Sequence, residues 1–481
     1  MNKTILLSVL LGLLLPCSAI ADIADDIRQA QALRLEPTDM PPKPDYARPA
    51  PAVGSIGVMD DLSFAGLPVF AAGLISRSHK EAFWQNYDNP HSQARLVNSY
   101  ESRVDNYTQY FGPVMTVGLK AAGVEGRSSW GRLLASSAMS YGIMAVLVNG
   151  LKYTVKEPRP DNSTHNSWPS GHTATSFAGA TILHKEYGLT RSPWYSVAGY
   201  GVATATGIMR VLNNRHWVSD IMAGAGIGIL STELGYAVGD LLFRERGLLR
   251  GNLDGLEDLA EHPSFFSIGM GVGFGSPTLD FSSAGPAVAD VAGLPLSFKT
   301  SASTVVDVEG AWFFCRNIGV GGRMRLKSQP VSGLDDMADG RWLTLDSRFM
   351  TEFIGSGGLY AAFPLTDRLS LGTKALVGHS VTQSALLTAS IDKEAVTTIA
   401  LQPSEWDYLD ITGGSATSLG TGVSLSYGYK QSFAWRVYCD MDYAHRTYVL
   451  KYNPSGLRQT VLDLDKSQLQ WVLGAAFSVA F

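Results

Sequence analysis

The sequence predicts two folded parts in series: an all-α helical bundle over residues 55–245 and an eight-stranded antiparallel transmembrane β-barrel over 265–481. Three observations carry this reading. Apolar, small-residue runs of helical length fill the first part: Leu133–Leu151, Trp194–Val211 and Ile221–Thr232. After the charged stretch RERGLLRGNLDGLEDLAEHPS the texture changes to two-residue alternation, the period of a strand with two unlike faces. The connections between the alternating segments are by turns long and short, as in a barrel with short turns at one rim and long loops at the other.

A leader precedes both parts. Lys3 is a basic start, Ile5–Leu15 an apolar stretch and Ala19-Ile20-Ala21 a small-x-small cleavage site, so residues 1–21 read as a secretory signal peptide. The apolar run is too short to span a membrane comfortably, and Pro16 before Cys17 fits lipoprotein processing badly. Residues 22–54, with PTDMPPKPDYARPAPAVG, form a Pro-rich extended leader, and 246–264 a linker. The bulk numbers agree. With 17% charged residues in 481 and a mean hydropathy of +0.05, the chain is too polar to lie mostly in lipid. Its 50 glycines suit turn-rich β-structure and close helix packing. Net charge is −5, or −6 once Lys3 leaves with the signal, and there is no Lys/Arg-dense block, so nucleic acid is not an expected partner. Cys315 and Cys439 remain after cleavage, on different strands at different heights, which predicts two unpaired thiols and no cysteine metal site.

The barrel strands are expected near 265–275, 304–314, 317–327, 346–363, 367–381, 417–430, 433–446 and 467–481. In the last, Leu469, Trp471, Leu473, Ala475, Phe477, Val479 and Phe481 share one face. A soluble β-sandwich also alternates, but it does not require long and short connections to take turns. This part resembles the small outer-membrane β-barrels, down to the C-terminal Phe481. Its inward rows carry Asp307, Glu309, Arg323, Arg325, Glu352, Lys374, Arg436, Asp440 and Asp442. Eight strands leave an interior barely wide enough for side chains, so these charges are expected to pair within a filled anchor, not a pore.

The helical part holds the chemistry. KYTVKEPRP spaces Lys152 and Arg159 by six residues, NSWPSGHTAT follows with Ser170, Gly171 and His172, and MRVLNNRHWVSD adds Arg210, His216 and Asp220. Arg159 and Arg210 offer planar forks for phosphate oxygens and Lys152 a compact charge. Ser170 can donate its hydroxyl, and Gly171 lets a backbone N–H approach an oxygen at a helix start. His216 and Asp220, four apart, would share a helix face, the carboxylate orienting the ring and leaving one nitrogen free to attack phosphorus. His172 would protonate the leaving oxygen and then activate water. Cationic side chains supply the charge stabilisation, so neither a metal nor another cofactor is expected.

Together with Pro160 and Pro169 these make ten positions that, in this order, resemble the type-2 phosphatidic acid phosphatase superfamily, with its class A acid phosphatases and vanadium haloperoxidases. The resemblance covers roughly 130–235 and implies His216 as nucleophile, Asp220 as its partner and His172 as acid, with Lys152, Arg159, Ser170, Gly171 and Arg210 binding phosphate. The family usually has Ser before the third-motif Arg, where this chain has Met209, putting one phosphate contact in doubt. The resemblance implies a phosphatase acting on a phosphorylated lipid or a small phosphate ester. A barrel anchor among outer-membrane lipids favours the lipid; the alternatives are a tethered general acid phosphatase, or a structural or transport barrel with an inactive phosphatase domain. Leu133–Leu151, with Ser136, Ser137, Ser140 and Asn149, is expected as a buried helix of a soluble periplasmic bundle.

Overall fold

The computed structural model describes the chain from residue 62 onward, apart from 78–101, 281–296, 333–342, 392–404, 453–459 and isolated stretches of one or two residues. The signal peptide, the whole Pro-rich leader, and His79 and His91 lie outside the described residues.

The helices are α1 (Gly66–Arg77), a four-residue turn α2 (Asp105–Thr108), α3 (Phe111–Ala121), α4 (Trp130–Val155), α5 (Gly171–Leu183), α6 (Trp194–Leu212) and α7 (Val218–Phe243). α5 runs on into a π-turn, His184–Gly188. α7 is the hub, packed by α1, α4 and α5. Its small residues make this possible: a Cβ on Gly226 would lie 2.4 Å from the backbone nitrogen of Phe70 in α1. Ala174, Ala178, Ile227, Met144 and Val148 fill the space between α5, α7 and α4. The far end of the bundle buries polar groups in pairs. Asp240 takes Arg127 at 3.1 Å and also Arg132, while Glu186 accepts from Tyr236 at 2.9 Å.

One helix departs from expectation. α4 is not a buried helix: only 22% of its most apolar 18-residue window is buried, against 78% for α7. Ser136 and Ser140 do face inward, against Gly239 and Gly235 of α7, while Leu134, Val146 and Tyr153 point outward. Its serines therefore serve helix packing, not solvation.

The second part is an antiparallel, barrel-like sheet. Its long strands are β1 (Phe265–Phe274), β2 (Ser303–Phe313), β3 (Ile318–Gln329), β4 (Met350–Thr366), β5 (Leu369–Thr382), β6 (Ala416–Gly428), β7 (Phe433–Tyr452) and β8 (Thr460–Ala480). Each pairs with its neighbours in sequence, and β8 pairs back onto β1. Shorter strands at Leu343–Ser347, Ala385–Ile391 and Glu405–Gly413 extend the sheet beyond β7.

The expected inward charges are paired. Arg325 holds Asp307 at 2.7 Å and Asp440 at 2.6 Å, Arg323 holds Asp440 at 2.8 Å, and Lys374 bridges Glu309 at 2.8 Å and Asp440 at 2.9 Å. Lys327 and Arg446 join the network through Glu352. Cys315 and Cys439 are both free thiols.

The helices pack against the outward face of this sheet. Phe433 of β7 and Phe477 and Val479 of β8 sit among Phe177, Ala180, Tyr200 and Ile229, with Phe266, Ile268 and Trp435 alongside. Met270, Val306 and Leu326 pack on Val218 and Met222 at the start of α7.

Candidate active site

The site forms where the C-terminal end of α4, the start of α5, the end of α6 and the start of α7 meet. Ser170 is the N-cap of α5, its hydroxyl accepting the Thr173 N–H at 3.4 Å, which leaves Gly171 and His172 in the open first turn. The Ser170 N–H donates to the Asp220 carbonyl at 3.0 Å, tying the second motif to the third. Gly224 lets them approach, since a Cβ there would lie 2.6 Å from the Ser170 carbonyl oxygen.

His216 is not on the helix with Asp220, as the four-residue spacing had predicted. It stands two residues before α7, in a bend that leads into the extended N-cap Trp217. Asp220 is the third helical residue, and its carboxylate turns back as a cap, accepting the Trp217 N–H at 3.0 Å. The same oxygen meets His216 Nδ1 at 3.2 Å and accepts the hydroxyl of Ser167. A carboxylate only accepts, so Nδ1 carries the proton and Nε2 keeps its lone pair. Burial drives the His216 imidazole down to about 4 despite the raising pull of Asp220, with Arg210 and Lys152 lowering it further. The ring is neutral at physiological pH.

His172 lies across the site, half-buried, its Nε2 2.9 Å from Asn106 Oδ1 in α2. Burial, then Arg210 and His216, push it to about 4. Its charge coupling to Arg210, His216 and Arg159 shows that the motif residues share one field. Lys152 donates to the Asn166 carbonyl, and Arg159 Nε to Asn166 Oδ1 at 3.1 Å. Arg210 pairs with Asp105 at 2.8 Å, while its Nε is buried with no acceptor among the described residues. Met209 is partly buried beside it.

The structure thus brings together all eight sequence-nominated residues. It adds four that the motifs did not reveal: Asp105 on Arg210, Asn106 on His172, Ser167 on Asp220 and Asn166 beneath Lys152 and Arg159. Two braces hold the loop that carries Asn166 and Ser167. Arg77 grips Glu157 at 2.7 Å and lies 5.6 Å over Trp168, and Trp217 Nε1 donates to the Pro158 carbonyl at 2.9 Å. Among the described residues, no three His, Cys, Asp or Glu cluster as a metal site.

Residues 131–242 match the PAP2 superfamily. Over 200 residues the chain is 44% identical to a lipid A 1-phosphatase of Porphyromonas gingivalis, covering 40% of this chain and 43% of that protein. The chain is therefore matched over less than half the length of this curated relative. Among solved structures, a transmembrane PAP2-type phosphatidylglycerolphosphate phosphatase from Bacillus subtilis aligns at 21% identity and TM-score 0.28, over 38% of this chain and 100% of that one. The outer membrane protein OprG from Pseudomonas aeruginosa aligns at 12% identity and TM-score 0.27, over 45% of this chain and 95% of that one.

Proposed function

We propose that the PAP2 superfamily domain carried by this chain is a metal-independent lipid phosphatase working through a phosphohistidine on His216. In the same reading, the barrel-like sheet is a closed eight-stranded outer-membrane barrel that anchors it. One observation carries the chemistry: a buried, neutral imidazole whose Nδ1 is held by Asp220 stands among Lys152, Arg159 and Arg210. The unaccepted Nε–H of Arg210 supports a phosphate ligand there, since a buried donor without a partner costs about 1–3 kcal/mol until an anion satisfies it.

His216 Nε2 attacks phosphorus in line and forms the P–N bond. The ester P–O bond breaks, and His172 passes a proton to the departing oxygen. Because both imidazoles rest neutral, the proton on His172 arrives with the substrate, whose negative charge raises the affinity of the ring for it. His172 then takes a proton from water, the hydroxide oxygen bonds to phosphorus, the P–N bond breaks and orthophosphate leaves. Charge on the equatorial oxygens falls on Lys152, Arg159, Arg210, the Ser170 hydroxyl and the Gly171 amide. The relative's named substrate supports a lipid A phosphate ahead of other phosphorylated lipids, and the β8–β1 pairing supports closure of the barrel.

The test is phosphate release by the full chain in detergent with EDTA, comparing a lipid phosphate with a soluble aryl phosphate and using His216→Ala as blank. Lipid preference that vanishes in the variant, with an acid-labile phosphoenzyme trapped from the parent chain, is the expected result. Equal rates on both esters would make the enzyme a tethered general phosphatase, and activity surviving in His216→Ala would remove the nucleophile assigned here.

A further inference from the structure

We propose that the helical domain lies within the bilayer beside the barrel, docked on its outer wall, with the catalytic end in the outer leaflet. The phosphorylated lipid then enters from the cell-surface leaflet and not from the periplasm. The inference rests on reading the barrel as an outer-membrane anchor, and it replaces the sequence expectation of a soluble periplasmic bundle.

The contact surface is the first argument. Phe266, Ile268 and Met270 alternate with Ser267 and Gly269, which pair with Glu309 and Asp307 of the charged interior, so the apolar row points outward. In a barrel that outward row meets lipid, and here part of it is covered by helices. The covered strip climbs obliquely. It begins at Phe433 and Val479, beside the Lys430–Ser432 turn and the chain end, and rises to Val306 and Leu326 on β2 and β3. Helices standing along the membrane normal would make this track across tilted strands.

The strip also fixes polarity. The end of the bundle remote from the site touches the short-turn rim: His184 stacks on Phe433 at 4.8 Å and Trp194 on Phe481 at 4.8 Å. The catalytic end, through Val218 and Met222 next to His216, reaches Leu326, eight residues up β3 from Ile318. At about 3.3 Å per residue and a tilt of about 40°, that is ~20 Å above the short turns, in an apolar band ~25 Å tall. Along α5, from Gly171 to Leu183, the helix rise gives ~18 Å. The two heights agree. Short turns face the periplasm and long loops the outside, so the site sits near the outer headgroups.

The uncovered faces supply the third argument. Leu67 and Leu74 of α1, Val114 of α3 and Leu134 and Val146 of α4 are exposed, as are outward-facing barrel residues such as Val272 and Leu473. Trp130 and Tyr153 mark the two ends of α4, both exposed, ~35 Å apart by helix rise, which suits a hydrocarbon core of ~30 Å with aromatic belts. Acyl chains are the occupant that covers helices and barrel alike.

Single cysteines in a Cys315→Ser, Cys439→Ser chain test this in cells that display it. A membrane-impermeant maleimide should label His165→Cys, at the catalytic end, equally before and after permeabilisation, with Lys156→Cys as a second site there. Glu245→Cys, at the other end, should react only after permeabilisation. The reverse pattern, or labelling of all three only after permeabilisation, would overturn the outer-leaflet placement. A nitroxide on Val146→Cys in phospholipid vesicles should be open to oxygen and shielded from a nickel chelate; the opposite would put α4 in water and overturn the embedding. Neither readout needs turnover, so failure here leaves the phosphatase reading intact, and an inactive enzyme labelled as expected would leave the topology intact.

Discussion

Asp220→Asn isolates what the carboxylate charge does for His216. Asn is isosteric and caps helices as well as Asp does, so the bond from the Trp217 N–H, 3.0 Å in the parent chain, should persist and α7 should keep its first turn. What is lost is the charge facing Nδ1 at 3.2 Å. In the proposed phosphohistidine step the ring becomes cationic, and unit charges about 4 Å apart at an effective dielectric near 20 attract by about 4 kcal/mol. That corresponds to a fall in kcat of about a thousandfold, with KM changed little because the phosphate ligands are untouched. Asp220 also holds the His216 pKa up against burial, so the acid limb of kcat/KM should move to lower pH in the variant. The assay is steady-state phosphate release across pH, with circular dichroism as the folding control. A folded variant that loses less than about tenfold would refute the assigned role, since a charge this close to a developing cation cannot be so cheaply removed.

Further outcomes follow from other contacts. His216 folds with its pKa near 4, below the ordinary 6.5, so the unfolded chain binds that proton more tightly; its contribution of about 3 kcal/mol is intact above pH 6.5 and lost as pH falls toward 4, a decline in Tm that His216→Gln should flatten. Asn106→Ala removes the group that orients His172 and should lower kcat about tenfold with KM held, measured on the same lipid phosphate. Gly224→Ala drives a methyl toward the Ser170 carbonyl, and a loss of about 1–3 kcal/mol in thermal unfolding should accompany reduced kcat, whereas an unchanged Tm would show that the α5 turn can yield. Asp440→Ala leaves Arg323, Arg325 and Lys374 with an uncompensated buried charge and should cost about 3–5 kcal/mol in urea unfolding of the vesicle-inserted chain.

The eight candidate site residues were legible because phosphate chemistry needs particular side chains at spacings that survive as letters. Asp105 and Asn106 were not. They come from a four-residue turn far upstream of the motifs, with only tertiary packing to bring them to Arg210 and His172. The His216–Asp220 geometry misled for a related reason: a spacing of four fits both a helical face and a cap folding back on the residue before the helix, and the cap is what formed. The long strands fall close to their expected places because alternation is a local signal, except that β7 ends six residues later and β8 begins seven residues earlier than expected. Alternation says only that one face is apolar. Whether Phe266 or Phe477 meets lipid or a helix is decided by a partner surface on helices earlier in the chain, and α4 kept its exposed face hidden behind the serines it turns toward α7.

The charge lattice inside the strands has a kinetic corollary. With Arg323, Arg325, Lys374 and their carboxylates locked across the lumen, the interior offers no conduit. In the membrane placement proposed above, a phosphorylated lipid reaches His216 sideways, by diffusion in two dimensions. Turnover should therefore track the mole fraction of phosphorylated lipid in the surface, falling under dilution with neutral lipid at constant bulk concentration. On the same placement, the dephosphorylated lipid would stay in the plane as a competitor, while orthophosphate alone would escape to water.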